Sequence, residues 1–292
     1  ASRGGIIIID KQEIPEMLLN NLLLSYLRYF PVEYGKSWLR RFVRLPSQPI
    51  VYTTKYRAKF KLYPDEYQMK EIYCYDLYEK NTISNLVKLV KPHYTFIDVG
   101  ANAGFYSIIL SGLLNRGKVY SFEPNSFTVQ RLMDNIALNN AGNIVVNQVG
   151  LSDKEEMLDL VYDTSNTGSA SVYKASSDGK RKESIRLIPF DEYYFSNHIG
   201  QIDVIKADIE GGEMKFLLGA EKAIKKNYKL IIVLEMMDEH FRAAGYSSGE
   251  LFTYMRRLGF EAYLPKPFPF GLTHTTRLPA AYFDNLVFLR GY

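Results

Sequence analysis

The chain has 292 residues with 36 Lys and Arg against 32 Asp and Glu; 47% of the residues are hydrophobic and 23% charged, so it can bury a full core and is not a disordered polymer. One cysteine, Cys74, excludes an internal disulfide and a Cys-rich zinc site, and four scattered histidines argue against a His-built metal centre. The longest uncharged run, Val99–Asn115, is broken by Gly100, Asn102, Gly104 and Gly112, and Met17–Leu27 is only 11 residues, so neither reaches the roughly 20 apolar residues of a membrane span. No signal-peptide pattern is visible, and a cytoplasmic location is expected. The first residue is Ala1 rather than Met, which leaves room for an upstream segment.

In chain order, residues 1–80 read as an N-terminal appendage and 81–292 as a regular α/β domain. Ile14–Phe30 has apolar residues near a 3.6 period and predicts a helix ended by Pro31; Ile50–Tyr63 alternates and predicts a hairpin. The net charge of +4 falls within residues 1–80, and Gly35–Pro64 holds eight bases and no acid. On a strand Lys55, Arg57, Lys59 and Lys61 would share a face, and on a helix Lys36, Arg40 and Arg44 would. Such a surface fits an anionic acceptor or surface beside a catalytic rim, or a solvated face.

From residue 81 helices are predicted at Thr82–Val90, Phe105–Leu114, Ser126–Asn140, Gly212–Lys226 and Ser248–Leu258. Strands are predicted at Tyr94–Val99, Lys118–Phe122, Asn143–Val149, Glu156–Tyr162, Ser184–Pro189, Asp203–Ala207, Lys229–Leu234, Phe260–Leu264 and Asn285–Arg290. That alternation predicts a doubly wound, mostly parallel, Rossmann-like sheet, with ligands at the carboxyl ends of its strands. Asp163–Asp178, with Asn166, Gly168, Ser169 and Ser171, reads as a loop between core strands. The Pro-rich stretch Pro265–Pro279 reads as a long loop and candidate substrate lid.

Thr95-Phe96-Ile97-Asp98-Val99-Gly100-Ala101-Asn102-Ala103-Gly104-Phe105 is a strand, a small-residue turn and a helix start. It is neither the nicotinamide fingerprint nor a P-loop. Asp98 before the turn would repel a pyrophosphate but can hold a cation or a hydroxyl, which suits a methionine-derived sulfonium cofactor. Glu123 ends the next strand, 25 residues on, where an acid pairs with the two ribose hydroxyls of an adenosine; Asn125 can cap the following helix. Ser152 and Asp153 follow the next strand, at the position of an adenine edge or a plain turn.

The succession FIDVGANAGFYS, VYSFEPN, GLSD, GSAS and IDVIKADIEGGE resembles the FkbM family of S-adenosylmethionine-dependent methyltransferases, from about Tyr78-Glu79 to Glu235. The resemblance implies a class I methyltransferase fold (EC 2.1.1 type) and S-adenosyl-L-methionine as cofactor. It would place Asp98, Gly100, Asn102 and Gly104 at the methionine end, Glu123 at the ribose, and Ser152 with Asp153 at the adenine. It also implies O-methylation of a sugar or other small-molecule or glycan hydroxyl, and it makes the segment 163–178 an active-site loop.

The candidate chemistry lies on the rim beyond the next strands. Asp208 ends one strand, as a base or a cofactor contact; Glu210 is two residues on; Glu235 ends the following strand; His240 lies just after it. Any of these can serve as a general base, and two carboxylates can hold a divalent cation, although no metal is expected. Glu210 and Glu213 also suit a helix N-terminus. A rival function is RNA ribose methylation through the basic 35–64 segment. Glu235 stands where the Lys-Asp-Lys-Glu set of such enzymes wants a lysine, which counts against it. A non-catalytic cofactor-binding module is the other rival, and the acids at 98, 123 and 208 count against that.

Overall fold

The computed structural model describes residues 13–30, 35–63, 66–163, 166–171, 181–267, 269–278 and 283–292. The chain opens with helix α1 (Glu13–Tyr29), a one-turn helix α2 (Lys36–Leu39), a 3-10 turn at Arg40–Phe42, the hairpin β1 (Ile50–Thr53) and β2 (Lys59–Leu62), and helix α3 (Tyr67–Tyr75). There follow α4 (Lys80–Leu89), β3 (Thr95–Val99), α5 (Phe105–Leu113), β4 (Lys118–Phe122), α6 (Ser126–Asn139) and β5 (Ile144–Asn147). Next come β6 (Gly150–Ser152), β7 (Glu156–Asp163), β8 (Asn166–Ser171), β9 (Arg181–Pro189) and α7 (Phe190–Ser196). The last part is β10 (Val204–Ala207), α8 (Glu213–Gly219), α9 (Glu221–Lys226), β11 (Leu230–Met237), α10 (Asp238–Ala243), α11 (Ser248–Arg257), β12 (Glu261–Lys266), β13 (Gly271–Thr275) and β14 (Phe283–Arg290).

Eight strands form the central sheet in the order β13-β12-β14-β11-β10-β3-β4-β5. The five from β11 to β5 are parallel, and β14 inserts antiparallel between β11 and β12. The order reverses between β3 and β10: the chain winds outward from β3 to β5, then returns to lay β10 on the other side of β3. That gap is the switch point at which ligands bind in open α/β sheets. The predicted α/β, doubly wound and mostly parallel sheet is therefore present, with an antiparallel insertion that local pattern does not reveal.

Several expectations need correction. Glu156–Tyr162 and Ser184–Pro189 do not join the central sheet; β6, β9, β7 and β8 make a separate four-stranded sheet. Part of the expected loop 163–178 is strand β8 paired to β7, while residues 164–165 and 172–178 lie outside the described residues. The expected lid at 265–279 is largely the edge hairpin β12–β13. Pro265 is tolerated there because β12 pairs with β14 only over Glu261–Tyr263, so no N–H is needed on that side; Phe268 and Pro279 lie outside the described residues. The helix expected at 212–226 breaks at Ala220, because Asp191 of α7 accepts from Lys222 N (3.0 Å) and Ala223 N (2.7 Å) and so caps a second helix.

The bases of 35–64 do not form one face. Lys36 is buried and its Nζ donates to Phe30 O at 2.7 Å; Arg40 pairs with Glu71. Lys55 and Arg57 lie in the hairpin turn, leaving Lys59 and Lys61 on the strand. Phe60 and Leu62 of β2, with Met69 and Ile72 of α3, pack in one apolar cluster with Phe96 of β3 and Phe105 of α5.

Arg290, buried at the end of β14, closes the opposite side. Its guanidinium donates to the carbonyls of Tyr228 (3.0 Å), Leu258 (2.7 Å), Ile224 (2.5 Å) and Asn227 (2.9 Å), joining the C-terminal ends of α9 and α11 to the sheet. Removing the donor strands buried carbonyls. Arg290→Met is expected to cost about 3 kcal/mol in urea unfolding. A loss within experimental error would show that water replaces the arginine.

Candidate active site

The carboxyl ends of β3, β4 and β10 open into a cleft. Of the sequence-predicted residues, Gly100, Asn102, Glu123, Ser152, Asp208 and Glu210 line it. Asp98, Gly104 and Asp153 do not, and Glu235 and His240 stand on the rim beyond. One side of the cleft is apolar, built from Phe122 and Leu151 and, on the small sheet, Leu160, Ile185 and Leu187. Gln68 of α3 contributes to the wall, so the N-terminal segment reaches the site.

Glu123 is set by the backbone around it. Its Oε2 accepts from Asn102 N and its Oε1 from Asn125 N, both at 3.0 Å. Asn125 then caps α6, its Oδ1 accepting from Thr128 N at 3.0 Å. Burial pushes the Glu123 carboxyl up to about 7 against these bonds, which favour its charge. Each oxygen keeps a lone pair for a further donor. The turn residue Asn102 has φ +48° and accepts from Ala103 N through Oδ1 at 2.7 Å, which holds the loop at the cleft floor.

The glycines turn out to be demanded by packing. Gly100 has φ +77°, and a Cβ on it would lie 2.0 Å from the carbonyl oxygen of Asp208. It meets the neighbouring strand end rather than the open cleft. Gly104, at φ +89°, would place a Cβ 2.5 Å from Leu132 of α6. Ser152 is buried on the cleft wall and its Oγ donates to Asp153 Oδ1 at 3.1 Å; Asp153 itself is exposed.

Asp98 sits one step behind the cleft. It accepts from Ser107 Oγ at 2.5 Å, and Ser107 lies 2.6 Å from Ser121 Oγ. Its register partner on β10 is Lys206. Burial raises the Asp98 carboxyl to about 6, although Lys206 and Ser107 pull it down. Lys206 Nζ is buried, 2.9 Å from Asp208 Oδ2 and 3.8 Å from Glu79 Oε2, over the Tyr106 ring. Burial lowers its pKa, but Asp208, Glu79 and Asp98 outweigh that and leave it raised. Tyr106 Oη donates to Glu79 Oε2 at 2.5 Å, and Asn285 bonds the same carboxylate.

The four acceptor-rim candidates do converge. Oxygen and nitrogen atoms of Glu210, Glu235 and His240 lie within 4.8 Å of one another, as do carboxylate oxygens of Glu79, Asp208 and Glu235. His240 Nδ1 is 3.2 Å from Glu210 Oε2. Either trio has oxygen or nitrogen donors suited to a divalent cation, and in the second Lys206 already supplies a positive charge. Burial, then Asp208, Glu79, Glu210 and Glu213, hold the Glu235 carboxyl well above the usual range. The loop carrying Asp208 and Glu210 is shaped by Glu213, which accepts from Ile209 N (2.9 Å) and Gly211 N (3.1 Å), while Tyr246 Oη donates to Gly211 O at 2.8 Å. Glu79, Lys206 and Tyr106 were not singled out from sequence. Lys206, a charge inside the apolar strand Val204-Ile205-Lys206-Ala207, was the available signal.

The Methyltransferase FkbM domain model matches residues 98–262. The chain belongs to the FkbM methyltransferase family. Its α/β, doubly wound, mostly parallel sheet is the one the resemblance to that family implied. The chain is 26% identical over 181 residues to the hexuronic acid methyltransferase AglP of Haloferax volcanii, covering 62% of this chain and 72% of that protein. It is 25% identical over 290 residues to the AMB antimetabolite synthetase AmbE of Pseudomonas aeruginosa, covering 87% of this chain but spanning only 13% of that relative's length. Among solved structures, a SAM-dependent methyltransferase from Aquifex aeolicus superposes with a TM-score of 0.41 at 14% identity, over 75% of this chain and 92% of that one. No helix among the described residues is long and apolar enough to cross a membrane.

The Gly100 geometry generates a test. Gly100→Ala is expected to destabilise the apo protein by about 2–4 kcal/mol, through strain at positive φ and the clash with Asp208 O. If the variant unfolds with the parent but fails to bind the cofactor, the glycine serves close approach of the ligand instead.

Proposed function

We propose that this methyltransferase transfers the methyl group of S-adenosylmethionine to a hydroxyl of a sugar or other small-molecule or glycan acceptor. The observation that carries the reading is the junction at Asp208, which both lines the cleft and belongs to the carboxylate rim. A cofactor in the cleft and an acceptor on the rim would therefore meet there. The curated relative named for hexuronic acid methylation supports a sugar acceptor.

The residues of the cleft fit the cofactor. Glu123 has acceptor capacity for the ribose hydroxyls, the apolar side suits a flat base, and Asn102 with the Gly100 turn borders the methionine end. Asp98 acts through Lys206 and Ser107, as a positioning residue. When bound, S-adenosylmethionine supplies an electrophilic methyl group. Glu235 takes the proton of the acceptor hydroxyl. Burial and the nearby acids Asp208, Glu79, Glu210 and Glu213 hold its carboxyl up, so its carboxylate is a stronger base than an exposed one. Asp208, held by Lys206, accepts a hydrogen bond from the acceptor and orients it. An acceptor with an anionic group next to the reacting hydroxyl would be repelled by this rim, so the reacting carbon is expected to have neutral substituents.

Two experiments check the assignments. Glu235→Gln is expected to lower kcat at least about 100-fold with little change in cofactor affinity. In the parent, the acid limb of the rate profile lies above the ordinary carboxylate range, because the raised carboxyl must lose its proton to act. The variant should lose that limb; an unchanged limb removes Glu235 as base. Glu123→Ala is expected to weaken the cofactor by about 1.5–3 kcal/mol in calorimetry. Affinity of the parent should rise as pH passes through about 7, where Glu123 becomes a charged acceptor. A flat profile with full affinity in the variant would separate Glu123 from the ribose.

A further inference from the structure

Helix α1 is apolar on two sides. Its inner face carries Leu24 and Leu27, buried against Val43 and Cys74. Its outer face carries Leu18, Leu22 and Tyr29, with exposures of 57%, 68% and 73%. No charged residue occurs from Met17 to Leu27. Arg28 does not relieve this: its guanidinium turns inward, donating to Tyr73 O at 2.6 Å beneath the rings of Tyr52 and Tyr73. A helix apolar all round is ordinarily covered on all sides. Among the residues of α1 whose side chains are described, Met17 to Tyr29, the exposed polar ones are Asn21 and Ser25.

The surface continues beyond the helix. Asn20 bonds the backbone of Arg44 in both directions, Nδ2 to Arg44 O at 3.2 Å and Oδ1 from Arg44 N at 2.8 Å. This ties the segment after the 3-10 turn to α1. Helix α2 and the turn present Trp38 and Phe42, both more than half exposed and edge to face at 4.8 Å. Arg41 and Arg44 are exposed beside them. Leucines, a Trp–Phe pair and arginines, with no carboxylate in the sequence from Met17 to Phe30 or from Gly35 to Pro64, are the composition of a surface that lies in a bilayer interface.

We propose that α1 and the following turn form a monotopic docking face for an anionic lipid bilayer. The leucines enter the acyl boundary, Trp38 and Phe42 sit at headgroup depth, and Arg41 and Arg44 meet lipid phosphates. Helix α1, 17 residues long, lies along the surface rather than across it. The enzyme would then work on acceptors presented at a membrane, independently of whether the base is Glu235.

Vesicle sedimentation tests this with phosphatidylcholine alone and with phosphatidylcholine mixed with phosphatidylglycerol. The parent should pellet with the mixed vesicles, less with the neutral ones, and less again as salt rises. The pair Leu18→Asp and Leu22→Asp should reduce the bound fraction about tenfold while leaving cofactor affinity and melting unchanged. The milder Leu22→Ser should move in the same direction. Arg41→Gln with Arg44→Gln should remove the preference for anionic vesicles. A parent that stays in the supernatant with mixed vesicles overturns the proposal, as does an aspartate pair that pellets like the parent. A parent dimer in light scattering that Leu22→Asp converts to monomer also overturns it, because the face then belongs to a second copy.

Discussion

The buried ammonium of Lys206 is the constraint around which the site is arranged. It stands on β10 opposite Asp98 of β3, across the gap where strand order reverses, with Asp208 and Glu79 on its other sides. Three carboxylates in that space would be untenable without a cation, and a lysine there would be untenable without them. The set is therefore mutually required. Asp98 is satisfied from the other flank by Ser107, which also touches Ser121 of β4. Glu79 is satisfied by Tyr106. One charge network thus ties β10, β3 and α5 and the turn before α4, with β4 joined to it through Ser121, at the end of the sheet where the cleft opens.

The acids of the site divide by what surrounds them. Asp98, Glu123 and Glu213 are raised to about 6, 7 and 7 by burial, yet each is held by hydrogen bonds. For a carboxyl raised in the fold, the stabilising contribution is present below its unfolded value and is lost as pH rises through the folded one. In these three groups that window lies between the ordinary carboxylate range and about 7. The fold thus tolerates their ionisation at a cost, which fits groups kept for a site rather than for stability. Glu213 shows the purpose: it closes the loop in which Glu210 takes φ +53° and Gly211 φ +107°, so Glu210 is aimed at the rim by a strained backbone.

What could be read from sequence was local. The strand–turn–helix around Gly100, the acid at the end of β4 and the cap at Asn125 are each set by residues within a few positions, and all three stand where the pattern put them. The convergence of Asp208, Glu210 and Glu235 was also visible, since strand ends of a parallel sheet share one rim; that His240 joins them was not, because it lies past the strand end on α10. Glu79 was hidden because it reaches the rim from a turn before β3, at φ +44°. The break at Ala220 was hidden because Asp191, about thirty residues away, supplies the cap. The hairpin at Pro265 looked like a loop because proline is a breaker only where its N–H would be needed.

Placement of the N-terminal segment connects these parts. Phe60 stacks on Phe105 at 5.5 Å, and Tyr78 meets the same ring edge-on at 5.9 Å. Phe105 opens α5 directly after the glycine turn, so the hairpin β1–β2 braces the helix start that borders the cleft. Gln68 adds to the cleft wall from α3, and Glu79 completes the carboxylate rim. Residues before β3 therefore take part in building the site at three levels: packing under it, lining it and charging it. A fold core that begins at Asp98 would lack Glu79, and with it one of the anions that hold Lys206. The unit that builds the cleft and the carboxylate rim is consequently larger than the stretch 98–262 matched by the family model, and Gln68 and Glu79 are part of it by the same packing and charge that set the sheet end.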